Sequence, residues 1–257
     1  MWLIDQLALL VARTGERPLI HSPIRRPTID DFPDPWTGDL PALRRLCLRL
    51  MSYAEVLGPD VIFEPIGPTS SATPRPCAAP GPISGAEVSQ IAGIEPDGRI
   101  RWRRREPLWF QDLHRGTLRF GYDPRVPLQG DIQLVGGVAR EVARAWRQLH
   151  AVLQPDPGTE ARLTDLTTVY LGLGLCTANS RGPADGLGPR QLGFLLAAQL
   201  LAREEGCWST RKILGHLDPA PRDHARSALR QLRRPRGALR RRLGLDLLDD
   251  PPAIELG

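Results

Sequence analysis

Lysine is almost missing from this chain. Of 34 Lys and Arg residues in 257, only Lys212 is a lysine. Such an arginine bias, with abundant Ala, Gly and Pro, is the mark of a GC-rich genome and assigns no function by itself. Long apolar runs are missing too. The best candidate, Leu7 to Ala12, falls far short of the ~18–20 residues that span a bilayer. It has no basic segment before it and no small-residue cleavage site after it, and Asp5 precedes it, so no signal peptide is expected. Cys47, Cys77, Cys176 and Cys207 are scattered without a CxxC spacing, which leaves free thiols as the expectation. The five histidines are isolated, and no Ser/His/Asp or Cys/His spacing of a known nucleophile occurs. A cytoplasmic protein without a cofactor and without a membrane span is the expectation.

Hydrophobic residues at 41% and charged residues at 25% are ordinary for a globular protein, so wholesale disorder is excluded. The 25 Gly and 26 Pro imply long irregular stretches. The net charge of +5 is unevenly spread. Between Arg222 and Arg242 nine arginines face the single Asp223, a local +8, so the remainder of the chain sums to −3.

Apolar spacing predicts a helix over 2–14, with Leu3, Leu7, Leu10 and Val11 on one stripe. A proline-rich connector follows from Pro18 to Pro41. Asp39 as N-cap and Pro41 in the first turn open a helix to about Leu57, with Leu43, Leu46, Cys47 and Leu50 facing a core. Val61–Ile66 reads as a strand, 68–88 as a flexible loop rich in Pro, Ser, Ala and Gly, and 89–104 as a hairpin turning at Pro96-Asp97-Gly98. Gly116–Tyr122 is another strand. Helices are then expected over 134–153, 159–179, 188–202, 210–217 and 222–234. Helix, then strands, then helices argues an α+β fold.

On the 134–153 helix, Arg140, Glu141 and Arg144 form R-E-x-x-R. Two side chains at i and i+4 share a helix face, and in the zinc-peptidase pattern H-E-x-x-H that face holds the metal while the glutamate is the general base. Here both histidine positions are arginine. By itself this spacing is an ordinary pair of surface charges.

Other segments give it context: Asp31-Phe32-Pro33-Asp34-Pro35-Trp36, Leu50-Met51-Ser52-Tyr53, the run from Leu163-Thr164-Asp165-Leu166 to Thr177-Ala178-Asn179-Ser180, and Arg190-Gln191-Leu192-Gly193-Phe194. Together they resemble a family of bacterial proteins with a gluzincin-like (HExxH) metallopeptidase core. The likeness covers roughly residues 27–57 and 131–234. It implies a zincin-like core, an N-terminal helix and arm at 1–26, a metallopeptidase-like domain at 27–234, and a tail at 235–257. It also implies that the metal-binding histidines fall on Arg140 and Arg144, and the glutamate ligand on Ala161. Only Glu141, at the general-base position, and Asp165 match the family.

Zinc needs a lone pair, and a guanidinium has none to give at any ordinary pH. His150 cannot substitute, because six residues after Arg144 is ~240° around the helix. The resemblance therefore implies a retired enzyme with no metal. Two uses for the arginines stay open: internal pairing with Glu141 and Asp165 in place of the metal's charge, or binding of an anion or a partner carboxylate.

Three further features have bland and sharp readings. Gly172-Leu173-Gly174 reads as close helix packing rather than a nucleotide loop, since no strand precedes it. Arg101-Trp102-Arg103-Arg104-Arg105 reads as a charged strand edge. Arg222, Arg226, Arg230, Arg233 and Arg234 align into one cationic helical face, which is a solvated surface or a polyanion site. The acidic ending Leu245–Asp250 could fold against them. The leading expectation is a pseudoenzyme that serves as a scaffold, adaptor or assembly subunit for another protein or a larger assembly. Trp2, Leu3, Leu7 and Leu10 are its candidate docking contacts. The alternatives are a sequence-neutral nucleic-acid or polyanion binder through 222–242, and a metal-dependent hydrolase with rebuilt ligands.

Overall fold

A computed structural model describes residues 2–65, 93–94, 100–101, 108–123, 130, 132–180, 182, 184–203 and 206–245. The expected loop at 68–88, most of the 89–104 hairpin, the basic cluster after Arg101 and the acidic ending beyond Leu245 lie outside the described residues.

The described elements are α1 (Trp2–Thr14), α2 (Arg17–Ile20), α3 (Leu40–Tyr53), β1 (Asp60–Pro65), β2 (Gly93–Ile94), β3 (Ile100–Arg101), β4 (Leu108–His114), β5 (Thr117–Tyr122), α4 (Ile132–Leu149), α5 (Pro157–Tyr170), α6 (Gly174–Ala178), α7 (Pro189–Ala202), α8 (Cys207–Leu214), α9 (Pro219–Leu232) and α10 (Arg236–Arg242). The fold is α+β and mostly helical. One sheet has the order β1-β5-β4, with β1 parallel and β4 antiparallel to β5, and β2 pairs with β3. Among the described residues no helix is long and apolar enough to cross a membrane.

Helix α4 is the central element. It packs against β4, α3, α5 and α6 and buries Val138, Ala139, Val142, Ala143 and Trp146. Its small residues allow close approach. A Cβ on Gly136 would lie 2.1 Å from Ser180 Oγ and 2.7 Å from the Cys176 carbonyl in α6. Across the three strands Phe63 stacks on Phe120 at 5.7 Å between ring centres and Phe110 meets Phe120 edge-on at 5.6 Å, which fixes the sheet against the helical layer.

Helix α3 begins as its sequence dictates, with the Asp39 carboxylate accepting the Ala42 amide at 2.8 Å and Pro41 in the first turn. The proline-rich arm before it is held by charge. Asp31 accepts from the Arg26 amide at 2.9 Å and from the Arg25 and Arg26 guanidiniums, Arg49 pairs with Asp34, and the Tyr53 hydroxyl donates to the Asp31 carbonyl.

Three expectations need correction. The helix expected over 159–179 is two helices. Gly172 adopts φ +79°, with its amide bonded to the Val169 carbonyl and the Leu173 amide to the Thr168 carbonyl, which is a Schellman stop. The arm crosses at that point, and the Gly172 carbonyl accepts the Arg25 amide at 2.8 Å. Second, α1 does not lie outside the core. Leu7 is fully buried and Leu10 nearly so, because the stripe faces α5, α7 and α10. Of the four docking candidates only Trp2 is exposed, and Leu3 is half-buried against the core. Third, packing continues past residue 234. Leu239, Leu243 and Leu245 join the same core as Ile4 and Leu7, and Arg242 reaches Asp5 at 2.6 Å.

Candidate functional site

The R-E-x-x-R segment lies at the middle of α4, where helix, sheet and α5 meet. Arg140 and Glu141 are 5% and 6% exposed, and Asp165 on α5 is wholly buried. Arg140 Nε donates to Asp165 Oδ1 at 2.7 Å, Nη1 to Ser180 Oγ at 2.8 Å and Nη2 to the Thr177 carbonyl at 3.1 Å. The second Asp165 oxygen accepts the Leu187 amide at 2.7 Å. Each nitrogen of the guanidinium and both oxygens of the carboxylate therefore have partners. A buried pair is tolerable only on that condition.

Glu141 is held differently. Its Oε2 accepts the Phe110 amide of β4 at 2.8 Å, and Arg144 Nη1 lies 3.1 and 3.2 Å from its two oxygens. Arg144 keeps a quarter of its side chain in solvent. The two charge pairs thus have separate tasks: one joins α4 to α5 and to the segment before α7, and the other joins α4 to the sheet.

A third arginine on this side of α4, Arg147, went unread in the sequence. It is 2% exposed and grips Glu160 with both ends of its fork, at 2.7 and 2.9 Å. It also donates to Thr167 Oγ1 and to the Val152 carbonyl. Its signal was the spacing of Arg140, Arg144 and Arg147, which keeps three cations on one side of the helix.

These residues do not fit zinc. Arg140 and Arg144, where the resemblance would put histidines, are guanidiniums whose nitrogens all carry protons, and Arg140 is bonded to Asp165. Ala161, where the resemblance would put a third ligand, offers no donor atom. Other histidines do not converge here. The His150 ring stacks on Trp146 at 3.8 Å and its Nδ1 bonds the Trp146 carbonyl. Among the described residues no three His, Cys, Asp or Glu side chains form a metal-holding group. Cys47 and Cys176 are buried free thiols. Burial, aided by the charge of Glu141, pushes the Cys47 thiol up, and burial raises that of Cys176 to about 12.

The C-terminal arginines are dispersed in role. Arg222 is half-buried and Arg226 lies 3.8 Å from Asp223. Arg230, Arg233 and Arg234 are exposed at the end of α9. Arg240 donates to the Ala202 carbonyl and Arg242 to Asp5. Trp208 on α8, 77% exposed, stands beside this region and carried no sequence pattern. Gly172-Leu173-Gly174 is a helix stop and a packing contact; a Cβ on Gly174 would lie 2.8 Å from Val169 and 3.0 Å from Leu196.

Compared with family models, with curated proteins and with solved structures, the chain matches none of them.

Proposed function

We propose that this chain is a catalytically inactive, metallopeptidase-like protein that works as a scaffold, adaptor or assembly subunit through contacts with another protein. The observation that carries the reading is the Arg140–Asp165 bond at 2.7 Å, with both groups withdrawn from water. If the zincin-like ancestry holds, a cation that once sat between α4 and α5 has been replaced by a covalently attached one. The replacement keeps Asp165 neutralised and the helices joined, and it removes the electron-pair donors that hydrolysis through a metal requires.

The test has two arms. Chain purified from zinc-supplemented cells is expected to retain no stoichiometric zinc after dialysis. Glu141→Gln, which keeps an acceptor for the Phe110 amide, is expected to restore a deletion strain of the native host as fully as the unaltered gene does. Tightly held zinc together with loss of complementation by the Gln variant would overturn the reading in favour of a hydrolase with rebuilt ligands.

A further inference from the structure

A large indole in water is unusual enough to need a reason, and its neighbours here are cations. Trp208 is 77% exposed on α8, and Lys212, one turn on, places Nζ 5.7 Å from the ring centre. Arg211 is exposed on the same short helix. The end of α9 comes alongside, because Arg233 Nη2 lies 3.7 Å from Sγ of Cys207, the residue next to Trp208. Arg230 and Arg234 extend the charge along the surface. Among the described residues none of Arg211, Lys212, Arg230, Arg233 and Arg234 has a carboxylate partner, unlike Arg226 and Arg242.

We propose that the surface formed by α8 and the C-terminal end of α9 binds single-stranded nucleic acid without sequence preference. Trp208 stacks on an unpaired base, and the five cations contact phosphates on either side of it. A π-face with flanking positive charge is the minimal platform for such a strand, and stacking accepts any base. Duplex would satisfy the cations but leave the ring idle, since its bases are already stacked. A lipid surface would call for an apolar face to insert. The apolar side of α9 is already spent on the core through Ala225 and Ala228, and Trp208 is the only large apolar side chain exposed among the described residues from 184 to 245. The Arg222 and Arg226 end of α9 takes no part.

The probe is a fluorescein-labelled oligothymidylate of about 20 nucleotides, titrated with the full chain and read by anisotropy. Binding is expected to weaken about 20- to 100-fold between about 50 and 200 mM salt, as release of counterions from three to five phosphates requires. Trp208→Ala is expected to weaken it about 5- to 150-fold, the worth of one stacked base. Arg230→Gln/Arg233→Gln/Arg234→Gln is expected to weaken it further and to flatten the salt dependence. All four positions are exposed, so each variant is expected to stay folded, which circular dichroism checks. Three outcomes would each overturn the proposal: no binding at low salt, equal affinity for a duplex of the same length with Trp208→Ala unchanged, or capture by anionic phosphatidylserine vesicles but not by the oligonucleotide.

Discussion

Arg140 and Asp165, 25 residues apart in sequence, meet at 2.7 Å in the interior, and neither retains appreciable contact with water. Their energetics are asymmetric. Together they are neutral and fully bonded, whereas either alone is a buried, uncompensated charge or a set of orphaned partners. Arg140→Met and Asp165→Leu are each expected to lose about 3–5 kcal/mol of stability. Arg140→Met/Asp165→Leu should lose less than either single variant, because only the Leu187 amide, the Thr177 carbonyl and Ser180 are left to find new partners. Urea unfolding of the four proteins closes the cycle. Additive losses would show that the pair is not coupled.

Arg147 and Glu160 test geometry rather than charge. Two parallel bonds at 2.7 and 2.9 Å match a planar fork to a carboxylate, and a lysine ammonium cannot reproduce them. Arg147→Lys keeps the charge but leaves the Val152 carbonyl and Thr167 underbonded. It should cost about 2 kcal/mol or more in urea unfolding, set against a change within about 0.5 kcal/mol for Arg226→Lys on the surface.

The stop at Gly172 makes a third case. Alanine there meets two separate obstacles: a φ of +79° and a carbonyl oxygen of Pro23 that would sit 2.4 Å from the new Cβ. Gly15, at φ +92° with open space around it, presents only the first. Gly15→Ala should cost about 1 kcal/mol and Gly172→Ala distinctly more, because the arm must move as well. Thermal unfolding ranks the two, and equal losses would mean that the arm yields freely at Pro23.

Much of the helical frame was legible, because α1, α3, α4 and α7 carry apolar residues at helical spacing and α3 has its cap in sequence. Strand β4 was not, since its register shifts between Phe110 and Asp112 and breaks the alternation a strand would show. The split at Gly172 depends on a segment some 147 residues upstream crossing there. The R-E-x-x-R positions could be named as a cluster, but the pairing with Asp165 rather than solvent follows from how α4 and α5 pack. Arg147–Glu160 depends on the turn between those helices, where Ala151 takes φ +52°. Trp208 lay hidden because a lone aromatic makes no period. The burial of Leu7 and Leu10 was not legible for a simpler reason: an amphipathic helix looks the same whether its apolar side meets a partner or its own core.

Acid should loosen the proline-rich arm. Burial alone would raise the Asp31 pKa, but the Arg26 amide and the Arg26 and Arg25 guanidiniums outweigh it and hold the carboxyl below its usual 3.8. Asp34 is lowered by its bond to Arg49. A carboxyl whose pKa falls on folding binds fewer protons folded than unfolded, so stability rises with pH. The contribution is complete well above 3.8 and is lost as the pH drops through the lower folded-state value. Between about pH 5 and pH 3 the unaltered chain should therefore lose more stability than Asp31→Asn, whose amide does not titrate. Parallel slopes for the two proteins would show that the arm carries no acid-sensitive link.

Helix α1 separates folding from docking in a single element. Leu7 has no exposed surface and sits in the core, while Trp2 and Leu9, seven residues apart and so on one side, are 39% and 43% exposed. Leu7→Ala should cost about 2–5 kcal/mol, as deletion of a buried branched side chain does. Trp2→Ala/Leu9→Ala should leave the unfolding free energy within about 1 kcal/mol of the unaltered chain's. Any partner that the scaffold reading requires on this helix finds only the second pair as exposed large apolar side chains. Cross-linking in the native host would decide it: a photoreactive residue at position 9 should trap a partner that the same residue at position 7 does not. Equal trapping at both positions would mean that α1 leaves the core when the partner binds.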